Sequence, residues 1–89
     1  MKTKSGFRLR ELGNEFILVG ESLEQINFNK MITMNETAAF LWRQAAELPS
    51  FTVEQCADWL TSEYEVTREQ ALQDAQKTIL TWQNAGIIE

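Results

Sequence analysis

The sequence predicts a small α+β domain of winged-helix-like architecture, in which three or four short antiparallel strands precede three α-helices. Two observations predict this order. Apolar residues recur at every second position in the first third of the chain, which is the period of a strand, and later at every third or fourth position, which is the period of a helix. Residues that favour helix starts and ends stand at the boundaries of the second region. The 89 residues are expected to form a single domain, 1–89.

The first two strands are predicted to form a hairpin. Apolar and polar side chains alternate near residues 7–12 and again near residues 15–19. Between these runs stand Gly13 and Asn14, two residues that tolerate positive φ. A two-residue turn needs positive φ if its twist is to match that of the flanking strands. The two runs therefore pair antiparallel.

The chain after the hairpin is predicted to return as one or two further strands. Residues 20–22 break the apolar run, and alternation resumes at Ile26 and Phe28. A turn at 29–30 then leads into the short apolar segment Met31–Met34. Together these segments predict a small twisted sheet at the start of the domain.

The first helix is predicted from the residues that begin and end it. The side chain of Asn35 can accept a backbone N–H of the next turn, and Glu36 places negative charge at the positive end of the helix. Pro49 disfavours helical geometry in the residue before it. The helix is therefore expected to span about 36–47 and to follow the strand Met31–Met34 through a tight corner.

The other two helices carry similar signals. Thr52 and Gln55 have the spacing of a capping box, and Thr67 and Gln70 repeat it. Gly86 can take the left-handed conformation that ends the last helix. The apolar stripes expected to face the core are Ala38, Leu41, Ala45 and Leu48 with Trp42 beside them, then Val53, Cys56, Ala57, Leu60 and Tyr64, then Leu72, Ala75, Ile79 and Trp82.

The composition argues against an enzyme and against a metal or cofactor site. The chain has no histidine and one cysteine, Cys56, which is expected to be a buried small hydrophobe. The carboxylates are scattered over polar helix faces, and the four glycines form no phosphate-binding loop. A net charge of −5 repels nucleic acid, and no apolar run reaches the ~18 residues of a membrane span. We therefore expect a cytoplasmic binding module without a cofactor.

Five short segments resemble the PqqD family, named for pyrroloquinoline-quinone synthesis protein D. The corner Met34–Ala38 matches the family's Leu-Asn-Glu-Thr/Ser-Ala sequence, with Met in place of Leu. Leu41–Trp42 matches the pair of an apolar residue and Trp that follows this sequence in the family. Thr52–Ala57, Tyr64–Val66 and Trp82–Ile88 match the later family segments in order and spacing. The segment Gly20–Lys30 is longer than in members of the quinone pathway and resembles that of stand-alone relatives found with other peptide-modifying enzymes.

The resemblance implies a recognition element that binds the leader region of a ribosomally made precursor peptide. Such an element presents the peptide to a modifying enzyme, often a radical S-adenosylmethionine enzyme. In the family the peptide adds to an edge strand beside the last helix. By position, the residues implied to bind it are Met31, Ile32, Thr33, Met34, Leu72, Ala75, Gln76 and Ile79.

Two other classes of function fit the same order of elements. A winged-helix DNA-binding module would use the third helix for recognition, but Arg68 and Lys77 there are offset by Glu69 and Asp74. A structural subunit would pair its open sheet edge with a second copy and form a homodimer, which does not exclude peptide binding. Trp59 lies off the apolar face of its helix, so it is expected either to pack on the sheet or to serve a contact surface.

Overall fold

Three antiparallel strands and then three helices follow one another along the chain, which confirms the predicted α+β order. The structure, a computed structural model, describes residues 1–20 and 31–89. Its elements are β1 (Phe7–Leu12), β2 (Glu15–Gly20), β3 (Met31–Met34), α1 (Glu36–Ala46), α2 (Val53–Glu63) and α3 (Arg68–Ala85). The break at Gly20–Ser22 runs into the segment that is not described, and the alternation at Ile26 and Phe28 and the turn at Asn29–Lys30 lie outside the described residues.

The sheet has the order β1-β2-β3, with both pairs antiparallel. Gly13 has φ 64°, whereas none of the described residues other than glycine has positive φ. The hairpin turn at Gly13 and Asn14 therefore has positive φ only at its first central residue, as in a type II′ turn. Across the inner face Leu9 lies opposite Leu18, which in turn lies opposite Ile32. This row packs against the helices.

Side-chain caps start the first two helices as predicted. Asn35 Oδ1 accepts the N–H of Ala38 at 2.7 Å. At α2 the capping box is complete, because Thr52 Oγ1 accepts the Gln55 N–H at 3.1 Å and Gln55 Oε1 accepts the Thr52 N–H at 2.9 Å. Each cap satisfies donors that a helix start leaves without partners, so β3 can turn directly into α1.

The third helix has only half of its predicted capping box. Thr67 Oγ1 accepts the N–H of Gln70 at 3.1 Å. The side-chain amide of Gln70 instead donates to Asp74 Oδ1, one turn further along α3, at 2.9 Å. The prediction of a reciprocal box was wrong here because the Gln70 side chain extends toward Asp74 and not back to the start of the helix.

Three aromatic side chains occupy the centre of the core. The Trp82 ring, 1% exposed, meets Trp42 edge to face at a centroid distance of 5.3 Å and Phe51 at 6.3 Å. Trp59 is half-buried and packs against the same core. None of the described helices is long and apolar enough to cross a membrane.

The predicted stripe of α1 is shifted in the structure. Ala39 is fully buried, whereas Ala38 is only half-buried. Leu48 is exposed because α1 ends at Ala46, before the chain would bring that side chain back to the core. The other predicted core residues of the helices are buried or half-buried, as expected.

The end of α3 has the predicted left-handed cap. Gly86 has φ 74° and ψ 28°, and its N–H donates to the carbonyl of Gln83 at 3.1 Å. The N–H of Ile87 donates to the carbonyl of Trp82 at 3.2 Å, and the Ile87 side chain is fully buried. This pair of bonds is the Schellman motif, which fastens the C-terminal residues to the core.

The first residues pair with the last ones, which the sequence did not indicate. Thr3 and Ile88 form an isolated antiparallel bridge. Beside it the backbone N–H of Lys2 donates to the carbonyl of Glu89 at 3.0 Å, and the carbonyl of Lys2 accepts the Glu89 N–H at 2.8 Å. This short pairing holds both ends of the chain against the core.

Cys56 is a buried small hydrophobe, as expected. It is a free cysteine with no exposed surface. Burial disfavours the charged thiolate and raises the pKa of the Cys56 thiol from its ordinary value near 9 to about 11.

We predict that Gly86→Ala lowers the free energy of unfolding by about 1 kcal/mol, because a Cβ strains the left-handed conformation. Urea unfolding followed by tryptophan fluorescence measures the change. Gln73→Ala is the matched control, since Gln73 is exposed on the same helix. Equal unfolding midpoints for the two variants would contradict the role of the cap.

We also predict that the raised pKa of Cys56 makes stability fall between pH 9 and pH 11. In this window the unfolded chain loses the thiol proton while the folded chain keeps it, so the free energy of unfolding decreases as pH rises. The slope from this group is on the order of 1 kcal/mol per pH unit.

The control for this prediction is Cys56→Ala, which removes the thiol and leaves the lysines and the tyrosine in place. Urea unfolding at several pH values gives the stability of both proteins. Below pH 9 their difference in unfolding free energy should be constant, and above pH 9 it should shrink. If the difference in unfolding free energy stayed constant up to pH 11, burial would not raise the pKa of the Cys56 thiol in the folded chain.

Candidate functional site

A groove of about 430 Å³ opens between β3, the start of α1 and α3. Its first wall is the edge strand, through Ile32, Thr33 and Met34. The Ile32 side chain is half-buried and that of Met34 is buried, so these two form an apolar base. Thr33 lies at the exposed rim.

The strand-to-helix corner forms the end of the groove. Asn35, Thr37 and Ala38 line it there. The Asn35 cap fixes this corner, because its bond to the Ala38 N–H sets the direction in which the chain enters α1. The cap that begins the helix therefore also shapes the site.

The wall opposite β3 is a row of side chains on one face of α3. The row consists of Asp74, Lys77, Thr78, Thr81 and Trp82. The spacing of i, i+3, i+4 and i+7 places the first four on one side of a helix. Trp82 reaches the groove from inside the core, whereas the others are polar and half-buried or exposed.

The direction of the backbone groups in β3 follows from the register of the sheet. Opposing residues of an antiparallel pair alternate between those that exchange both backbone hydrogen bonds and those that exchange none. Leu12 and Glu15 flank the two-residue turn and close the hairpin, so they are a bonded pair. Odd-numbered residues of β2 therefore direct their N–H and C=O groups toward β1, and even-numbered residues direct theirs toward β3.

The outer edge of β3 consequently presents backbone groups of its odd-numbered residues. Ile32 and Met34 lie opposite even-numbered residues of β2 and complete that ladder. Met31 and Thr33 direct their N–H and C=O groups away from β2. No strand within residues 1–20 and 31–89 pairs with this outer edge.

The structure brings together part of the set of residues predicted to bind a peptide. Ile32, Thr33 and Met34 line the groove. Met31 does not line it, but its backbone lies on the open edge and its side chain is 65% exposed. The strand half of the prediction therefore coincides with the groove.

On α3 the groove lies on a different face from the predicted one. Ala75 and Ile79 belong to the buried core, and Leu72 packs against that core. Gln76 is exposed and lies about 200° around the helix from Asp74, which does line the groove. None of these four predicted residues lines it.

The polar row was the signal that sequence reasoning missed. Asp74, Thr78 and Thr81 run beside the apolar stripe at helical spacing. Periodicity identifies the stripe, but it does not tell which flank of the stripe faces β3. That choice depends on how α3 crosses the sheet.

Two polar contacts order this row. Asp74 Oδ1 accepts the side-chain amide of Gln70, and Thr81 Oγ1 donates to the backbone carbonyl of Lys77 at 3.0 Å. Within the described residues no group of three or more histidine, cysteine, aspartate or glutamate side chains could hold a metal ion. The groove therefore presents an apolar base, one polar wall and a strand edge that no other described strand covers.

Two solved structures have a similar fold over nearly the whole chain. One is TbiB1 in complex with the TbiA(beta) leader peptide, with a TM-score of 0.77 and 17% identity, covering 100% of this chain and 95% of that one. The other is lasso peptide synthetase B1 complexed with the leader peptide, with a TM-score of 0.74 and 19% identity, covering 99% and 95%. At these identities the likeness is one of fold.

The sequence comparison gives a more direct result. No curated protein matches the sequence. Residues 9–88, by contrast, match the model of the family described as coenzyme PQQ synthesis protein D (PqqD). Because this match covers nearly the whole chain, the protein belongs to the PqqD family.

Proposed function

We propose that this protein is a stand-alone, non-catalytic recognition element that binds the leader region of a ribosomally synthesised precursor peptide by strand addition. The observation that carries the proposal is the outer edge of β3 beside the groove, with which no strand of residues 1–20 and 31–89 pairs. Membership of the PqqD family and the leader peptides named for the two similar structures support it. The functional unit is the single domain 1–89.

The backbone of the peptide pairs with the outer edge of β3. Extended peptides bind exposed sheet edges through main-chain hydrogen bonds, while pockets for alternate side chains give specificity. The four residues of β3 span about 13 Å, and only Met31 and Thr33 direct backbone groups outward. A short segment of the leader is therefore enough to fill the edge.

Side chains of the peptide enter the groove at every second position. Its apolar surface comes from Ile32, Met34, Ala38 and Trp82. Met34 adapts to different apolar shapes because its side chain is unbranched and flexible. The peptide should accordingly carry apolar residues at alternate positions that face this base.

The bound leader is presented to a modifying enzyme, and the resemblance to the family implies one of the peptide-modifying enzymes, often of the radical S-adenosylmethionine class. The recognition element supplies binding and position, and the enzyme supplies the chemistry. We expect the recognition element to need no cofactor of its own.

The observations do not favour DNA binding. On α3, Arg68 is already paired with Asp58, and Lys77 stands between acidic and neutral side chains. A DNA-reading helix needs several cations to contact phosphates. Pairing of β3 with a second copy would use the same edge as the peptide, so leader binding and such a dimer should compete.

We predict that Thr33→Pro weakens binding of the leader peptide by about tenfold while the protein stays folded. Proline removes the outward N–H of residue 33, which the peptide backbone would accept, and its ring crowds the incoming strand. Proline is tolerated in edge strands whose N–H faces away from the sheet. The probe is the labelled leader of the precursor encoded beside the gene, titrated by fluorescence anisotropy.

Two variants control this experiment. Thr33→Val keeps the N–H and should bind like the wild type, whereas Ile32→Pro removes a bond to β2 and should lower stability.

The proposed contacts are mainly backbone hydrogen bonds and apolar packing, so raising salt from 50 to 200 mM should change the wild-type affinity little. A phosphate-driven complex would lose orders of magnitude in affinity over the same range. Equal binding by Thr33→Pro and Thr33→Val would refute strand addition at this edge. Light scattering shows whether the leader displaces a dimer.

A further inference from the structure

Lys77 is the only cation among the described residues that line the groove. Its side chain is exposed on the α3 wall. It forms no ion pair within residues 1–20 and 31–89, in contrast to Lys2, which pairs with Glu89, and Arg68, which pairs with Asp58. A cation at the rim of an apolar groove offers an interaction to whatever the groove binds.

Asp74, the acidic residue of the same wall, is already engaged. One of its carboxylate oxygens accepts the Gln70 side-chain amide at 2.9 Å, and its side chain is half-buried. Asp74 and Lys77 do not pair with each other, although they stand three residues apart on the helix. On this wall Asp74 therefore has a hydrogen-bond partner on one oxygen, whereas Lys77 has no ion-pair partner within the described residues.

We infer that the groove selects a leader segment carrying an acidic side chain that pairs with Lys77. This inference rests on the proposed function and names the class of peptide that the site takes. Lys77 acts as a specificity-determining residue, because an acidic side chain gains an ion pair there and a basic one meets a like charge.

The geometry also fixes where in the leader this residue stands. In a strand, side chains alternate between the two faces, so only residues two or four positions apart point the same way. Lys77 lies on the groove side of the bound strand, as do the apolar side chains of the base. The acidic residue should therefore be separated from the groove-facing apolar residues by an even number of positions.

Long-range attraction does not explain such a preference. The chain carries a net charge of −5, so its overall field repels an acidic peptide. Preference for an acidic residue must come from the local contact at Lys77. The contact is exposed and contributes modestly, which suits discrimination among peptides better than overall affinity.

The test measures the affinity of the full chain for the leader of the precursor encoded beside its gene. A set of leader variants changes each aspartate or glutamate in turn to its amide. We expect one acidic residue to matter, at even spacing from the apolar ones. Lys77→Gln should weaken binding about threefold, and it should remove the effect of the amide change at that residue and at no other.

The control is Ser62→Glu, which lowers the net charge by one unit, as Lys77→Gln does. Ser62 is exposed on α2, and none of the described α2 residues lines the groove. Lys77→Glu should weaken binding about tenfold, and a leader with lysine at the critical position should recover most of that loss. Equal effects of Lys77→Gln and Ser62→Glu, or no coupling between Lys77 and any acidic residue, would overturn the inference.

The outcomes separate this inference from the proposed function. A leader that binds in a Thr33→Pro-sensitive manner but is indifferent to Lys77→Gln refutes the acidic contact alone. A leader that does not bind at all refutes the proposed function. A leader that binds without any acidic residue also overturns the inference and leaves strand addition in place.

Discussion

The packing of Trp82 ties the parts of this small domain together. Its ring contacts Trp42 of α1 and Phe51 of the connection to α2, while its backbone carbonyl accepts the Ile87 N–H at the left-handed end of α3. The same side chain reaches the groove from inside the core. A domain of 89 residues buries only about 60 to 65% of its unfolded surface, so a large buried residue that contacts several elements matters to its packing. The helix that forms one wall of the site is thus held by the centre of the core.

The groove is a consequence of how the strand enters the first helix. The cap at Asn35 lets the chain turn from β3 into α1 within one residue, so the edge strand ends against the helices. The inward side chains of β3 then pack on the core, and its outward backbone groups remain on the open edge. Between this edge and α3 lies the groove of about 430 Å³. Apolar contacts and backbone pairing are therefore available to the same peptide at the same place.

Local signals in the sequence predicted most of the fold, and non-local packing accounts for what they missed. Strand alternation, the caps at Asn35 and Thr52 and the glycine end at Gly86 depend on residues within a few positions of one another, so they could be recognised directly. The bridge between Thr3 and Ile88 joins residues from opposite ends of the chain, so no local or periodic pattern in the sequence indicates it. The face of α3 that lines the groove depends on how the helix crosses the sheet, which explains why the residues predicted on β3 coincide with the groove and those predicted on α3 do not.

The short edge limits what backbone pairing alone can achieve. Main-chain bonds do not distinguish one sequence from another, and β3 offers outward groups at only two residues. Short edge strands also protect a protein from uncontrolled pairing with other chains. Affinity and selectivity must then come largely from side chains in the groove, where the apolar base accepts many shapes. The polar row on α3 is the part of the site with defined chemistry, and Lys77 is its one available charge within the described chain. Discrimination among peptides is therefore expected to reside on the helix wall, while the strand edge supplies the common mode of binding.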